Sequence, residues 1–114
     1  MRIAVDIDGT ITIYPEQLKK IMRKSDYVVI LTGSLNPRAT KDHRVKQLLK
    51  YGIVNNCHYN KLVQCIGKDV IEVAMKKGYY CRDNNIDIVF EDKSSADKLD
   101  NFLLKARQQT RSTE

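Results

Sequence analysis

Two carboxylates near the start of the chain, Asp6 and Asp8, are separated by a single residue and are followed by Gly9 and the hydroxyl of Thr10. Two carboxylates held close together are suited to binding a hard cation such as Mg²⁺. They are equally suited to divided catalytic roles, with one as the nucleophile and the other as the acid and base. The structural alternative is a strand that ends in an Asp-Gly turn, which is a common turn dipeptide.

The element that must position these carboxylates is the apolar, β-branched stretch that opens at Arg2, which predicts a buried strand. Such a strand should carry Asp6 to its C-terminal end, with Asp8 just beyond it in the turn. Open α/β sheets bind their ligands outside the carboxyl ends of their strands. Both carboxylates are therefore expected at a ligand site.

Periodicity and turn residues predict that strands and helices alternate along the rest of the chain. The further predicted strands cover residues 27–31, 62–66 and 86–90. The first predicted helix runs from Pro15 to about Lys24, and the second follows Asn36-Pro37, with Val45, Leu48 and Leu49 on one face and Gly52 at its C-terminal cap. A third helix is capped by Asp69, runs through Lys77 and is stopped by Gly78, and a final helix is capped by Ser94 or Ser95. This alternation indicates an α/β fold with a parallel sheet and right-handed crossovers.

The clearest predicted strands all end in polar residues that can do chemistry. Asp6 and Asp8 end the first strand, Thr32 follows the second, and Glu91 and Asp92 follow the last. Parallel strands bring their C-terminal ends to one edge of the sheet. A purely structural sheet does not need a hydroxyl or a carboxylate at every strand end, so the repeated pattern favours a functional site.

Length and composition indicate one small domain, which we assign to residues 1–107, with a polar tail over residues 108–114. No apolar run approaches the roughly 18 residues of a membrane span, and Met1 leads directly into the first strand, so we expect a cytoplasmic protein without a targeting peptide. Cys57, Cys65 and Cys81 lack metal-ligand spacing and are expected to be free thiols. The net charge of +6 favours anionic partners, but it does not distinguish a phosphorylated metabolite from nucleic acid.

Residues 6–10 (Asp-Ile-Asp-Gly-Thr), which follow a hydrophobic strand, resemble the first motif of the haloacid dehalogenase superfamily, whose members are mostly phosphate monoester hydrolases. The strand that ends in Thr32 resembles the second motif, Lys68 ahead of a helix resembles the third, and Glu91-Asp92 resembles the fourth. The resemblance extends from Arg2 to about Leu104. It implies a three-layer Rossmann-like core with a small parallel sheet of about four strands in the order 4-1-2-3.

The resemblance also implies a Mg²⁺-dependent mechanism that passes through an aspartyl-phosphate. Asp6 would attack phosphorus, while Asp8 would protonate the leaving alcohol and then activate the water that hydrolyses the intermediate. Mg²⁺ would bind Asp6, the main-chain carbonyl of Asp8, and Asp92. The residues implied to bind the phosphate are Thr32, Gly33 and Lys68.

Two of these assignments have alternatives. An Asp-Asp pair is commoner than Glu-Asp at the fourth motif, so Glu91 or Asp97 is an alternative to Asp92 as the metal ligand. Lys61 is a second candidate for the phosphate-binding lysine. The basic pair at residues 76–77 is interpreted as part of a solvated helix face.

The spaces between the motifs are too short for the cap domain that many family members insert. Residues 10–27 have room for one helix, and residues 34–67 for one helix and a short strand. We therefore expect an open site where Ser34 and Arg38 contact the substrate and which a second copy of the chain could cover. A small phosphorylated substrate is the favoured partner. The alternatives are a phosphatase acting on nucleic-acid ends, and a non-catalytic binding protein that keeps the fold.

Overall fold

The computed structural model describes residues 1–92, which form an α/β fold with one four-stranded sheet. The strands are β1 (Arg2–Val5), β2 (Tyr27–Ser34), β3 (Lys61–Ile66) and β4 (Ile88–Phe90), and the helices are α1 (Pro15–Lys24), α2 (Lys41–Leu49) and α3 (Val70–Asp83). The predicted final helix, the candidate ligand Asp97 and the predicted tail over residues 108–114 lie outside the described residues.

All strand pairs within the described residues are parallel, and the order across the sheet is β3-β2-β1-β4. Read from the opposite edge, the same order is 4-1-2-3. The two central strands, β1 and β2, are almost continuously apolar over residues 3–5 and 28–31, where no residue is more than 2% exposed. Such runs are typical of parallel strands that are covered on both faces.

Helices cover both faces of the sheet because successive side chains of a strand point to opposite sides. On one face, Ile3 and Val5 pack with Leu18 of α1 and Leu48 of α2. On the other face, Ala4 and its neighbours on β2 pack with α3 residues that include Cys81 and Tyr80. The connections between β1, β2 and β3 contain α1 and α2, and no cap domain is inserted there.

Helix α2 begins at Lys41, later than the predicted start after Asn36-Pro37. The prediction was wrong because Asn36 closes a local turn: its side-chain oxygen accepts from Arg38 N at 3.0 Å, and its carbonyl accepts from Ala39 N at 3.0 Å. Leu48 is fully buried, but Leu49 is 53% exposed and does not belong to the inner face. Gly52 lies three residues after the end of α2 and has φ +71°, the positive φ that a C-terminal glycine cap adopts.

Helix α3 has the predicted cap, since the Asp69 side chain accepts from Glu72 N at 2.8 Å. It does not stop at Gly78, however, but continues to Asp83. The added turn buries Cys81 against the sheet. That packing outweighs the cost of about 1 kcal/mol that a glycine imposes inside a helix.

The three cysteines are free thiols, as predicted. Burial raises the pKa of Cys65 and raises the pKa of Cys81 to about 12. Because the thiolate is the reactive form, neither buried cysteine is suited to nucleophilic catalysis. Within residues 1–92, no helix is both long enough and apolar enough to cross a membrane.

Candidate functional site

A tight turn follows β1 and shapes the site around Asp6 and Asp8. Asp8 (φ −69°, ψ 128°) and Gly9 (φ 76°, ψ 0°) have the dihedral angles of a type II turn, which requires a positive φ at its third residue. Asp6 precedes the turn, and its Oδ1 accepts from Ile7 N at 2.8 Å. Gly9 N donates to the hydroxyl of Thr12 at 2.9 Å. The turn therefore holds the Asp6 carboxylate in a defined orientation at the end of its strand.

Gly9 also lies against Asp92, the residue that follows β4 by two positions. A Cβ atom on Gly9 would be 3.1 Å from Asp92 Oδ2 and 3.2 Å from Asp92 Cβ. The turn and the Asp92 side chain are therefore in close contact, and only glycine satisfies both the backbone angle and the available space. This contact brings the turn after β1 and the residues after β4 together.

We expect Gly9→Ala to lower both stability and activity. The positive φ should cost about 1–3 kcal/mol of unfolding free energy, measured by urea denaturation, and the added methyl group should displace Asp92. Gly52→Ala is the matched control, because Gly52 has a similar φ of +71° but its added Cβ would meet nothing closer than Lys19 Nζ at 3.5 Å. Equal activity in the two variants would show that the contact with Asp92 is not needed.

A buried lysine, Lys77 of α3, lies at the centre of the site. Its Nζ is 3.1 Å from Asp6 Oδ2 and 2.8 Å from Glu91 Oε1, and the three side chains are 6%, 10% and 1% exposed, respectively. Helical side chains tilt towards the helix N-terminus, so Lys77 extends back towards the carboxyl edge of the sheet. Burial acts to lower the pKa of Lys77, but the two carboxylates outweigh it and raise that pKa above its ordinary value. Lys77 is therefore a fixed positive charge beside Asp6.

The interpretation of Lys77 as part of a solvated helix face was wrong, because its side chain is buried. Lys68 and Lys61, the lysines considered for the phosphate, are both exposed and do not line the cavity at Asp6. The available signal was periodicity: Lys77 lies four residues after Val73 and four before Cys81, on the helix face that packs on the sheet.

The Asp8 carboxylate is held by two side chains of α2 that sequence reasoning missed. Arg44 Nη1 donates to Asp8 Oδ2 at 3.0 Å, and Gln47 Nε2 donates to Asp8 Oδ1 at 2.8 Å. Arg44 Nη2 also donates to the carbonyl of Gly33 at 3.0 Å, which links α2 to the end of β2. Partial burial acts to raise the pKa of Asp8, but the hydrogen bonds from Gln47 and Arg44 outweigh it and keep that pKa below its ordinary value.

These groups line one cavity of about 520 Å³ at the carboxyl edge of the sheet. The sequence-predicted residues that line it are Asp6, Asp8, Thr32, Gly33, Ser34, Glu91 and Asp92. Arg38 is exposed and is not among the lining residues, whereas Arg44 and Lys77 are. The structure therefore brings most of the predicted site residues to one cavity, and the basic side chains that line it are Arg44 and Lys77.

Asp6 and Asp92 line the same cavity, and their carboxylates with the main-chain carbonyl of Asp8 are the candidate oxygen ligands for Mg²⁺. Among residues 1–92, no group of three or more His, Cys, Asp or Glu side chains is arranged to hold a metal ion. The Asp8 carboxylate is engaged by Arg44 and Gln47, and Glu91 is engaged by Lys77. One or two carboxylates are a usual protein contribution to Mg²⁺, which keeps several waters.

Comparison of the chain with protein-family models, curated proteins and solved structures gave no match. The function is therefore inferred from the residues of this cavity. Their defining feature is a carboxylate, Asp6, that is fixed by a main-chain N–H and by a buried ammonium group.

Proposed function

We propose that this protein is a Mg²⁺-dependent phosphate monoester hydrolase of the haloacid dehalogenase type, acting in the cytoplasm on a small phosphorylated substrate. The observation that carries the proposal is the buried Lys77, which bridges Asp6 and Glu91 in the cavity that Thr32 and Asp8 also line. Strong coupling between buried ionisable groups in a cleft is a mark of functional sites.

Asp6 has the position and environment of a nucleophile. Its side chain is about one-tenth exposed and faces the cavity, and its two oxygens are held by Ile7 N and by Lys77 Nζ. In the first step, an Asp6 oxygen forms a bond to phosphorus while the bond from phosphorus to the ester oxygen breaks. The product is an aspartyl-phosphate on Asp6 and a leaving alkoxide.

Asp8 is the proposed general acid and general base of the two steps. Because its pKa is lowered, Asp8 begins the reaction as a carboxylate. In the first step it takes the proton of the monoanionic phosphate ester and gives it to the leaving oxygen. In the second step it takes a proton from the water that attacks phosphorus and releases inorganic phosphate, and it then returns this proton to solvent. Arg44 and Gln47 fix the position of its carboxylate, while 63% of the Asp8 side chain remains exposed to solvent at the cavity wall. That exposure gives the attacking water a route to Asp8.

Positive charge is needed because Asp6 and the phosphate repel each other. Two unit charges about 4 Å apart repel by about 4 kcal/mol at an effective dielectric constant near 20. Lys77 supplies one compensating charge, and the Thr32 hydroxyl and nearby main-chain N–H groups are donors for the phosphoryl oxygens. Mg²⁺ bound by Asp6, Asp92 and the Asp8 carbonyl would supply further positive charge at the transferring phosphoryl group.

We expect EDTA to abolish hydrolysis of a generic aryl phosphate and added Mg²⁺ to restore it. Asp92→Asn should raise the Mg²⁺ concentration required for half-maximal rate by about tenfold or more, because it removes one of two carboxylate ligands. Asp83→Asn changes an exposed carboxylate at the far end of α3 and should leave the Mg²⁺ requirement unchanged. Full activity after complete metal removal would contradict the proposed mechanism.

The substrate class is tested with a panel of phosphorylated metabolites, nucleotides and phosphorylated oligonucleotides, with Mg²⁺ and with EDTA. The proposal requires Mg²⁺-dependent release of inorganic phosphate from at least one small ester. A phosphorylated oligonucleotide whose kcat/KM far exceeds that of every small ester at low salt, but no longer does so at about 0.2 M salt, would indicate a nucleic-acid phosphatase. The reason is that binding of nucleic acid releases counterions and therefore weakens as salt increases. Binding without any turnover would instead favour the non-catalytic alternative.

A further inference from the structure

We propose that this cavity contains an apolar leaving-group subsite, formed by Leu35 after β2 and by Val70, Val73 and Ala74 of α3. The subsite selects phosphate monoesters whose alcohol part carries a flat apolar or aromatic group. This inference rests on the proposed phosphatase function and names the substrate class of the same site.

The apolar wall is a continuous stripe on one face of α3. Val70, Val73, Ala74 and Lys77 are spaced i, i+3, i+4 and i+7, so they lie along one side of the helix, and all four line the cavity. Seven residues of helix rise by roughly 10 Å. The stripe therefore runs from the cavity mouth at Val70 to the charged base at Lys77, a length that suits a phosphate with one or two rings attached.

Two glycines allow the apolar wall of α3 to pack closely against the sheet. A Cβ atom on Gly33 would be 2.4 Å from Val73 Cγ1, and one on Gly67 would be 2.9 Å from Val73 N. Real side chains do not approach so closely, so α3 packs here directly on main chain at the ends of β2 and β3. The position of the wall relative to Asp6 is consequently fixed by backbone packing.

The mouth of the cavity presents apolar surface to solvent. Leu35 is 54% exposed and Val70 is 51% exposed, although both border a cavity whose base is charged. Burying such surface against a ligand is favourable. Of the charged residues that line the same cavity, Arg44 and Asp8 are paired with each other. A cavity of about 520 Å³ lies within the usual range for small-molecule sites, roughly 300–1,000 Å³, and has room for more than a phosphate group.

The test compares two alkyl phosphates of similar leaving-group reactivity, 2-naphthylmethyl phosphate and 2-methoxyethyl phosphate. We expect kcat/KM to be about tenfold or more higher for the naphthylmethyl ester, a ratio typical of one apolar pocket. Leu35→Ser and Val70→Ser should each reduce that ratio at least about threefold, mainly through a lower kcat/KM for the naphthylmethyl ester. Ile71→Ser is the matched control, since Ile71 is the exposed neighbour of Val70 on α3 but does not line the cavity.

Binding of the non-hydrolysable 2-naphthylmethylphosphonate and methylphosphonate, measured by calorimetry with Mg²⁺, separates the subsite from the activity. Tighter binding of the naphthylmethyl compound that is weakened by Val70→Ser and not by Ile71→Ser supports the subsite, even if neither ester is hydrolysed and the proposed function fails. Equal kcat/KM for both esters, or a ratio that Leu35→Ser and Val70→Ser leave unchanged, overturns the subsite and leaves the phosphatase proposal standing.

Discussion

Replacing Asp6 with Asn is expected to reduce kcat for the best phosphate ester by about 10⁴-fold or more, as loss of a nucleophile does in other covalent mechanisms. The amide has nearly the shape of the carboxylate, but it carries no charge and does not attack phosphorus. Its carbonyl oxygen can still accept from Ile7 N, so the turn after β1 should persist. The measurement is the rate of phosphate release in the purified variant at saturating Mg²⁺.

The loss must be separated from unfolding, because Asp6 is also an ion-pair partner of Lys77. Lys77 keeps Glu91 as a partner at 2.8 Å, so we expect Asp6→Asn to lose only about 1–3 kcal/mol of unfolding free energy. Asp83→Asn removes an exposed carboxylate and should change neither kcat nor the free energy of unfolding appreciably. A folded Asp6→Asn protein with a rate close to wild type would refute the assignment of Asp6 as the nucleophile.

Replacing Lys77 with Met should be the second most damaging change, affecting both stability and turnover. The variant leaves Asp6 and Glu91 without their shared cation in a buried position, which should cost about 3–5 kcal/mol of unfolding free energy. Turnover should fall at least about 100-fold, as expected when a charge that stabilises the transition state is removed. Urea denaturation and steady-state kinetics measure the two effects.

A double variant, Lys77→Met with Glu91→Gln, distinguishes a catalytic role of Lys77 from a structural one. It removes one stranded buried carboxylate together with the cation, so part of the lost stability should return while turnover stays low. The comparison variant is Lys68→Met, which changes an exposed lysine outside the cavity and should retain activity within about threefold. Restored turnover in the double variant would show that Lys77 serves only the fold, and a large loss in Lys68→Met would return the phosphate-binding role to Lys68.

Local patterns in the sequence were sufficient for the architecture and for the main carboxylates. The apolar β-branched runs before Asp6 and Thr32 predicted the two central strands, because strands buried on both faces must be continuously apolar. The alternation of strands with helices predicted a parallel sheet, and the structure has four parallel strands within residues 1–92. Parallel strands end at one edge, so Asp6, Thr32 and Asp92 were expected together, and all three line the cavity.

The tertiary structure alone decided which basic side chains meet these carboxylates. Lys77 is 71 positions from Asp6, and Arg44 is 36 positions from Asp8, so neither pair leaves a local pattern in the sequence. The spacing from Val73 to Cys81 indicates that Lys77 is on the inner face of α3, but lysine is usually solvated, and the carboxylates that Lys77 meets follow only from how α3 packs on the sheet. Charge pairing across the fold depends on the distance and angle between elements, which residue spacing along one element does not contain.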